Sequence, residues 1–333
     1  RRRNQVYPMQ RYPDISLDLE FRSEEAIVPE VEGAPHVEVI ADAAGFTALR
    51  PEWGELLQAS DADCLFLTWD WLHTWWKHLA AGRKLHLLAV RRGNQLLAIA
   101  PFAVRPRQPG RLLPFPALEF LGTGAVGSDY LDLIIRRGAE EEALQSIAGH
   151  LAENGSVVEL RQVRAGSRLA SRLASRLQKR GWAARQTITD VCPYLDIAGL
   201  SWESYLAGVG PSHRQNVRRR LRRITASFQV DFQQVHTEAQ RRECLPLFAA
   251  LHRMRWAERS SPDALDGDGI MEFHDEFTTI ALQRGWLRLF ILRLDGKPAA
   301  SIYGFRYGKV FYFYQSGFDP AYRDHSVGLA AMA

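Results

Sequence analysis

The 333-residue sequence holds only three cysteines, Cys64, Cys192 and Cys244, far apart and odd in number. That excludes a disulfide framework and any zinc-ligand spacing, and it points to a reducing cytoplasm with no bound metal. No apolar run approaches the roughly 18 residues needed to cross a bilayer. The opening RRRNQVYPMQRYPD is basic but lacks the apolar stretch of a signal peptide. Charge of one sign is not strongly in excess either: 42 Lys and Arg face 38 Asp and Glu, a net charge of +4. That is too little to imply nucleic acid by itself, yet it suits phosphorylated or otherwise acidic ligands. What the chain does have is apolar content, 46% of it, enough for two ordinary domains with a sizeable core. It begins without Met and stops at VGLAAMA inside a helix-like pattern, so an excerpt of a longer protein is expected.

A helix is also missing where a nucleotide fingerprint would need one. Gly122, Gly124 and Gly127 have the G-x-G-x-x-G spacing of a dinucleotide site, which requires a strand before the glycines and a helix after them. Here Tyr130-Leu131-Asp132-Leu133-Ile134-Ile135 follows and reads as a strand, while the first helical pattern opens only near Ala139. A glycine-rich strand-to-strand turn accounts for the match.

Periodicity divides the chain into a charged, Pro-containing tail over 1–35 and two similar halves, 36–189 and 190–333. Each half reads as strand, helix, helix, hairpin, strand. The hairpins LHLLAVRRGNQLLAIAPFAVRP and LRLFILRLDGKPAASIYGFRYG alternate alike around Gly93-Asn94 and Asp295-Gly296. The class is therefore α+β, with one mixed, mostly antiparallel unit occurring twice. Between the halves, SRLASRLASRLQ sets Leu169, Leu173 and Leu177 on one helix stripe, and CPYLDI reads as a strand leading into the second half. In SHRQNVRRRLRRITASF, Val217, Leu221, Ile224 and Phe228 form a stripe capped at Ser212, with Arg214, Arg218, Arg219, Arg220, Arg222 and Arg223 over the rest.

The halves differ after their last strand. In the second, KVFYFYQSGFDPAYRDHSVGLAAMA passes from strand through a loop into a helix start, a junction able to hold a pyrophosphate. The stretch Arg323-Asp324-His325-Ser326-Val327-Gly328 resembles the R/Q-x-x-G-x-G/A loop of GNAT N-acetyltransferases, with Ser326 in place of the first glycine. With the preceding hairpin, the basic helix, SDYLDL and RMRW, the chain from about His36 onward is similar to the CelD-like cellulose-biosynthesis proteins. Such proteins look like tandem GNAT units, a layout shared with the Fem-type aminoacyl-tRNA transferases.

The resemblance implies acyl transfer from acetyl-CoA or another acyl-CoA to an amine or hydroxyl, with no metal. Donor contacts would come from Gln315, Arg323, Ser326, Val327, Gly328 and Leu329. Acyl transfer also needs a base for the acceptor and an acid for the leaving thiolate. Tyr314 is the candidate acid, with a tyrosine filling sheet surface as the plain alternative; Asp319 and His325 are candidate bases. Strict alternation over VFYFYQSGFD puts Phe311, Phe313 and Gln315 on one face and Tyr312, Tyr314 and Ser316 on the other. Arg255, Trp256 and Glu258 are candidates for an acceptor pocket taking a small molecule or a saccharide, such as an envelope polysaccharide or its precursor. The arginine helix, Arg214–Arg223, is either a solvated face or a seat for a phosphate-rich partner. Its arginines are not interleaved with aromatics, which counts against nucleic acid. Two other functions stay open: a Fem-like transferase taking an aminoacyl group from tRNA, and a non-catalytic binding component.

Overall fold

Alternating apolar residues dictate the strands, and the computed structural model arranges them as two sheets with helices between and around them. It describes residues 33–106, 116–154, 157–164, 166–189, 191–257 and 265–333. The tail lies almost wholly outside the described residues, as does Glu258. In chain order the first half comprises β1 (His36–Ile40), α1 (Ala43–Ala48), α2 (Arg50–Gln58), α3 (Trp69–Leu79), β2 (Lys84–Arg92), β3 (Gln95–Arg105), β4 (Ala117–Phe120), β5 (Ile134–Ile135), α4 (Glu140–Asn154), β6 (Val157–Val158) and α5 (Arg168–Gln178). The rest comprises α6 (Trp202–Gly208), α7 (Pro211–Ser227), β7 (Val230–Gln234), α8 (Glu238–Trp256), α9 (Ile270–Gln283), β8 (Leu287–Leu294), β9 (Lys297–Tyr307), β10 (Val310–Phe318) and α10 (Val327–Met332).

The first sheet runs β1-β2-β3-β4-β6, with β5 added to β3, and the second runs β10-β9-β8-β7. The duplication read from the sequence extends to the pairing. A register shift falls just before Arg91 in the β2–β3 hairpin and just before Arg293 in the β8–β9 hairpin. Both arginines reach back to a helical glutamate, Arg91 to Glu52 and Arg293 to Glu243. The turns differ in detail: Gly93 alone takes a positive φ in the first hairpin, whereas Asp295 and Gly296 both do in the second.

Three local expectations change. Of Tyr130–Ile135 only Ile134–Ile135 is strand, because Tyr130 turns the chain at φ 58° and the Asp132 carboxylate accepts the Leu133 N–H. CPYLDI forms no strand and pairs with no described one, and Tyr194 and Leu195 are 84% and 73% exposed. Helix α7 is capped by Gly210 with Pro211 at its first position rather than by Ser212; the ring presets φ for the first turn and removes one of the N–H groups that would lack an intrahelical partner. The stripes hold: Leu173 and Leu177 are buried under α5, as are Val217 and Ile224 under α7.

The two sheets do not have separate cores. Trp71 of α3, fully buried, meets Phe273 and Phe277 of α9 edge-on at 4.9 and 4.7 Å, with Phe305 and Tyr314 of the second sheet just beyond. Gly269, at φ 78°, lets the start of α9 close on α3, where an added Cβ would lie 2.4 Å from the His78 carbonyl oxygen. Polar contacts ring this seam: Glu276 pairs with Lys77 and lies 2.7 Å from His78 Nε2, and Asp70 pairs with Arg50 and Arg284. A separate apolar layer, with Ile224, Leu292, Leu294, Ala300, Ile302, Val327 and Ala331, packs α7 and α10 against the second sheet.

Candidate functional site

The glycine fingerprint can be judged first. No helix follows Gly127; the chain stays irregular up to β5. Gly122 is walled in, since a Cβ there would lie 3.0 Å from Ser128 Oγ, 3.1 Å from Leu72 and 3.3 Å from Leu131. Instead the turn seats the second sheet. Tyr314 packs against Gly127 and donates its hydroxyl to the Val126 carbonyl, while Trp71 Nε1 donates to Ser128 Oγ at 2.9 Å. The glycines therefore serve a tight turn: all three take positive φ, Gly122 is packed within its own half, and Gly127 lies against Tyr314 of the second sheet.

Tyr314 stands in β10, whose one partner among the described residues is β9. The β9–β10 register slips between Phe313 and Gln315, which makes Tyr314 the extra residue of a β-bulge. A bulge breaks period-2 alternation and re-aims side chains. This corrects the face assignment: Phe311 and Phe313 remain exposed, but Gln315 turns to α8, where its Oε1 lies 3.2 Å from His252 Nε2. Gly304, opposite Phe313, makes room, because a Cβ there would lie 2.3 Å from the Tyr312 carbonyl oxygen. Burial pushes the Tyr314 phenol well above its usual range, so it keeps its proton at neutral pH.

Helix α8 carries the residues that RMRW singled out. It starts at a capping box, Thr237 with Gln240, and its last turn lies on β10. Gly317 permits that approach; a Cβ there would lie 2.3 Å from the His252 backbone nitrogen. Arg255 donates to the Ser316 carbonyl at 3.2 Å and to its hydroxyl, and its guanidinium lies over Trp256 and Phe318 at 5.2 and 5.6 Å. Tyr314, Gln315, Arg255 and Trp256 are thus brought together around the bulge. His252, also there and only 1% exposed, was not a candidate; its one sequence signal is a position a turn before Trp256.

The remaining candidates sit past the end of β10. Asp319 caps a 3-10 turn, Pro320–His325, accepting from the Ala321 N–H at 2.9 Å. Arg323 is exposed, and the His325 ring meets Phe228 of α7 edge-on at 4.8 Å. Ser326 takes the left-handed conformation, φ 57° and ψ 40°, which glycine adopts at lower cost. Val327 is buried, Leu329 half-buried, and a Cβ on Gly328 would meet nothing within 4 Å. Arg220 of α7 donates to the Ser326 hydroxyl, so the arginine helix borders this loop. Asp319 and His325 therefore lie on the loop side, apart from the His252–Gln315 pair. Chemically, the region offers an edge strand whose outer side no described strand pairs, a bulge, and a loop carrying Arg323 that leads into a helix whose first N–H groups lack intrahelical acceptors.

Comparisons with known proteins agree with this layout. Residues 211–333 match the family described as acetyltransferase (GNAT) domain. The structure of FemX aligns with a TM-score of 0.57 at 12% identity, covering 89% of this chain and 84% of that one. A conserved protein of unknown function from Bacteroides thetaiotaomicron aligns at 0.48 and 14% identity, covering 89% and 85% of the two chains. A tandem GNAT protein from the clavulanic acid biosynthesis pathway, solved without acetyl-CoA, aligns at 0.43 and 13% identity, covering 89% and 83%. No curated protein matches the chain. The fold is thus α+β with two sheets flanked by helices, a fold shared with FemX, and residues 211–333 are similar to a GNAT acetyltransferase domain. Among the described residues no helix is long and apolar enough to cross a membrane, and no group of His, Cys, Asp and Glu could hold a metal ion.

Proposed function

We propose that the chain is an acyltransferase moving an acetyl or other acyl group from CoA to an amine or hydroxyl acceptor. The observation that carries this reading is the bulge at Tyr314 in edge strand β10, running directly into the loop Asp319–Gly328, which carries Arg323 and is bordered by Arg220, within the matched domain. An extended, amide-bearing donor arm can add to the side of β10 that no described strand takes, as a strand would. Its diphosphate would meet Arg323, Ser326 and the N–H groups from Val327 to Leu329. The acceptor nitrogen or oxygen attacks the thioester carbonyl, the C–S bond breaks, and the proton lost by the acceptor balances the one gained by the thiolate. Tyr314 would supply that proton by turning its hydroxyl away from Val126, with Asp319 or His325 relaying the acceptor's proton. Arg255 and Trp256 would border the acceptor, which by the CelD-like resemblance is an envelope polysaccharide or its precursor, handled in the cytoplasm. Residues 36–189 form the first unit in this reading, a platform without donor chemistry, and 190–333 the second.

The test is a thermal-shift titration of acetyl-CoA on the wild-type protein and an Arg323→Ala variant, followed by assay of free thiol with amine and sugar acceptors. A ligand confined to the folded state stabilises it by RT ln(1 + [L]/Kd), about 2.7 kcal/mol at a hundredfold excess over Kd. The expected result is a rise in melting temperature for wild type that Arg323→Ala removes without changing the unliganded midpoint. No rise in either protein would overturn the reading. The Fem-like alternative, with an aminoacyl-tRNA donor on the arginine face of α7, would then be tested by tRNA binding, which must weaken steeply with salt.

A further inference from the structure

Many arginines among the described residues end on a carboxylate. Arg241 is held by Glu238 and Asp275, Arg136 by Glu55, Arg172 and Arg176 by Glu141, and Arg218 by Glu203. Arg219 and Arg220 differ. Both donate to the same amide oxygen, Asn216 Oδ1, Arg219 through Nη2 at 3.0 Å and Arg220 through Nε at 3.1 Å. Arg220 reaches on through Nη1 to the Ser326 hydroxyl. Among the described residues neither has an acidic partner. Two guanidiniums are therefore held side by side by neutral acceptors, exposed to solvent, with their charges uncompensated. Like charges so placed repel, and a shared amide oxygen offsets little of that; a multivalent anion would offset most of it. Guanidiniums bind phosphate through paired, charge-assisted hydrogen bonds. Ser326 ties the pair to the loop on which the acyl donor is placed above.

We propose that Arg219 and Arg220, positioned by Asn216 and bridged to Ser326, anchor a phosphate group of the acyl donor. The inference deepens the acyl-CoA reading and rests on it. Two phosphates of such a donor share the required chemistry, the diphosphate and the 3′-phosphate on its ribose. The pair would make the enzyme selective for nucleotide-bearing thioesters over simple ones.

The experiment is calorimetric titration of wild type, Arg219→Gln, Arg220→Gln and Asn216→Ala with acetyl-CoA, acetyl-3′-dephospho-CoA and acetyl-pantetheine. The unliganded melting temperatures show whether each variant remains folded. Each arginine variant is expected to weaken acetyl-CoA binding by about tenfold to a hundredfold, the range for a hydrogen bond to a charged group. Asn216→Ala, acting only through the arginines, should weaken it less. A penalty that vanishes with acetyl-3′-dephospho-CoA assigns the pair to the 3′-phosphate; one that persists there and vanishes with acetyl-pantetheine assigns it to the diphosphate. Either supports the proposal. An equal penalty with acetyl-pantetheine, or none with any thioester, overturns it while leaving the donor reading intact. Wild type that binds no thioester overturns both. Arginine variants that lose affinity for an RNA hairpin and for no thioester would make the face a nucleic-acid surface and overturn the proposal as well.

Discussion

At the end of β4 the chain turns through Gly122, Gly124 and Gly127 into a packed loop, while at the end of β10 it bulges at Tyr314 and opens into the loop that carries Arg323. The two strands hold equivalent places, each beside the second arm of a matching hairpin. Around β4 the space is filled: β6 pairs with it in parallel, and Leu72, Ser128 and Leu131 close on Gly122. Around β10 no described strand takes the outer side, and Phe311 and Phe313 stay exposed. One unit has put its strand end to work as packing surface; the other has kept it accessible. The sealed end also seats the open one, since Val126 and Gly127 receive Tyr314.

The most severe break of this arrangement is Trp71→Ala. Its indole lies between the two halves, and losing a fully buried Trp should cost about 3–5 kcal/mol. Because the core is shared, calorimetry should show one lowered transition; two separate transitions would mean that the halves are stable independently.

Next is acid. His274 lies fully buried against Tyr303 and Tyr314, with Nδ1 3.1 Å from the Tyr303 hydroxyl. Burial, with His252 nearby, lowers its pKa from 6.5 to about 3. The unfolded chain then binds the proton first, so this histidine's contribution is intact above about pH 6.5 and is lost as pH falls towards 3. The loss is at most about 1.4 kcal/mol per pH unit in that window. Denaturant midpoints of wild type and His274→Gln between pH 7 and 4 should converge; parallel curves would assign the acid sensitivity elsewhere.

Tyr314→Phe removes the bond to Val126 and leaves a carbonyl short of its partner, at about 1–3 kcal/mol. If Tyr314 also protonates the thiolate, turnover should fall in the variant while the affinity for acetyl-CoA holds; unchanged turnover would confine the residue to the seam. A glycine pair then separates the two strand ends. Gly122→Ala should cost about 1–3 kcal/mol by overpacking at a positive φ, with no effect on acetyl-CoA affinity. Gly328→Ala meets open space and should leave stability unchanged while weakening acetyl-CoA binding, because a donor would approach that backbone closely. Affinity that responds to Gly122 and not to Gly328 would reverse the assignment of the two ends. The smallest effect is Ser326→Gly, which relieves about 1 kcal/mol of left-handed strain and forfeits the bond from Arg220; a stability change within about 1 kcal/mol is expected by thermal melts.

Much of the fold was legible because its signals are local. The hairpin alternation, the Asp295-Gly296 turn and the stripe Val217–Ile224 each follow from neighbours within a few residues, and each is seen. The reading failed where a distant contact outweighed local pattern. Nothing near Gln315 announces the bulge that turns it towards His252, 63 residues away, and β-like CPYLDI found no described partner. Of the candidate site, the loop was legible through its motif, but the bond from Arg220 to Ser326 crosses 106 residues and has no periodic trace.

The sequence by itself determined the α+β class, the duplication and the rejection of a dinucleotide site, since periodicity and turn chemistry are properties of short segments. Tertiary structure alone decided that the halves share one core, that the glycine turn receives Tyr314, and that the arginine helix borders the loop after β10. Those outcomes depend on which buried faces meet, and the free energy of their meeting belongs to pairs of segments far apart in the chain.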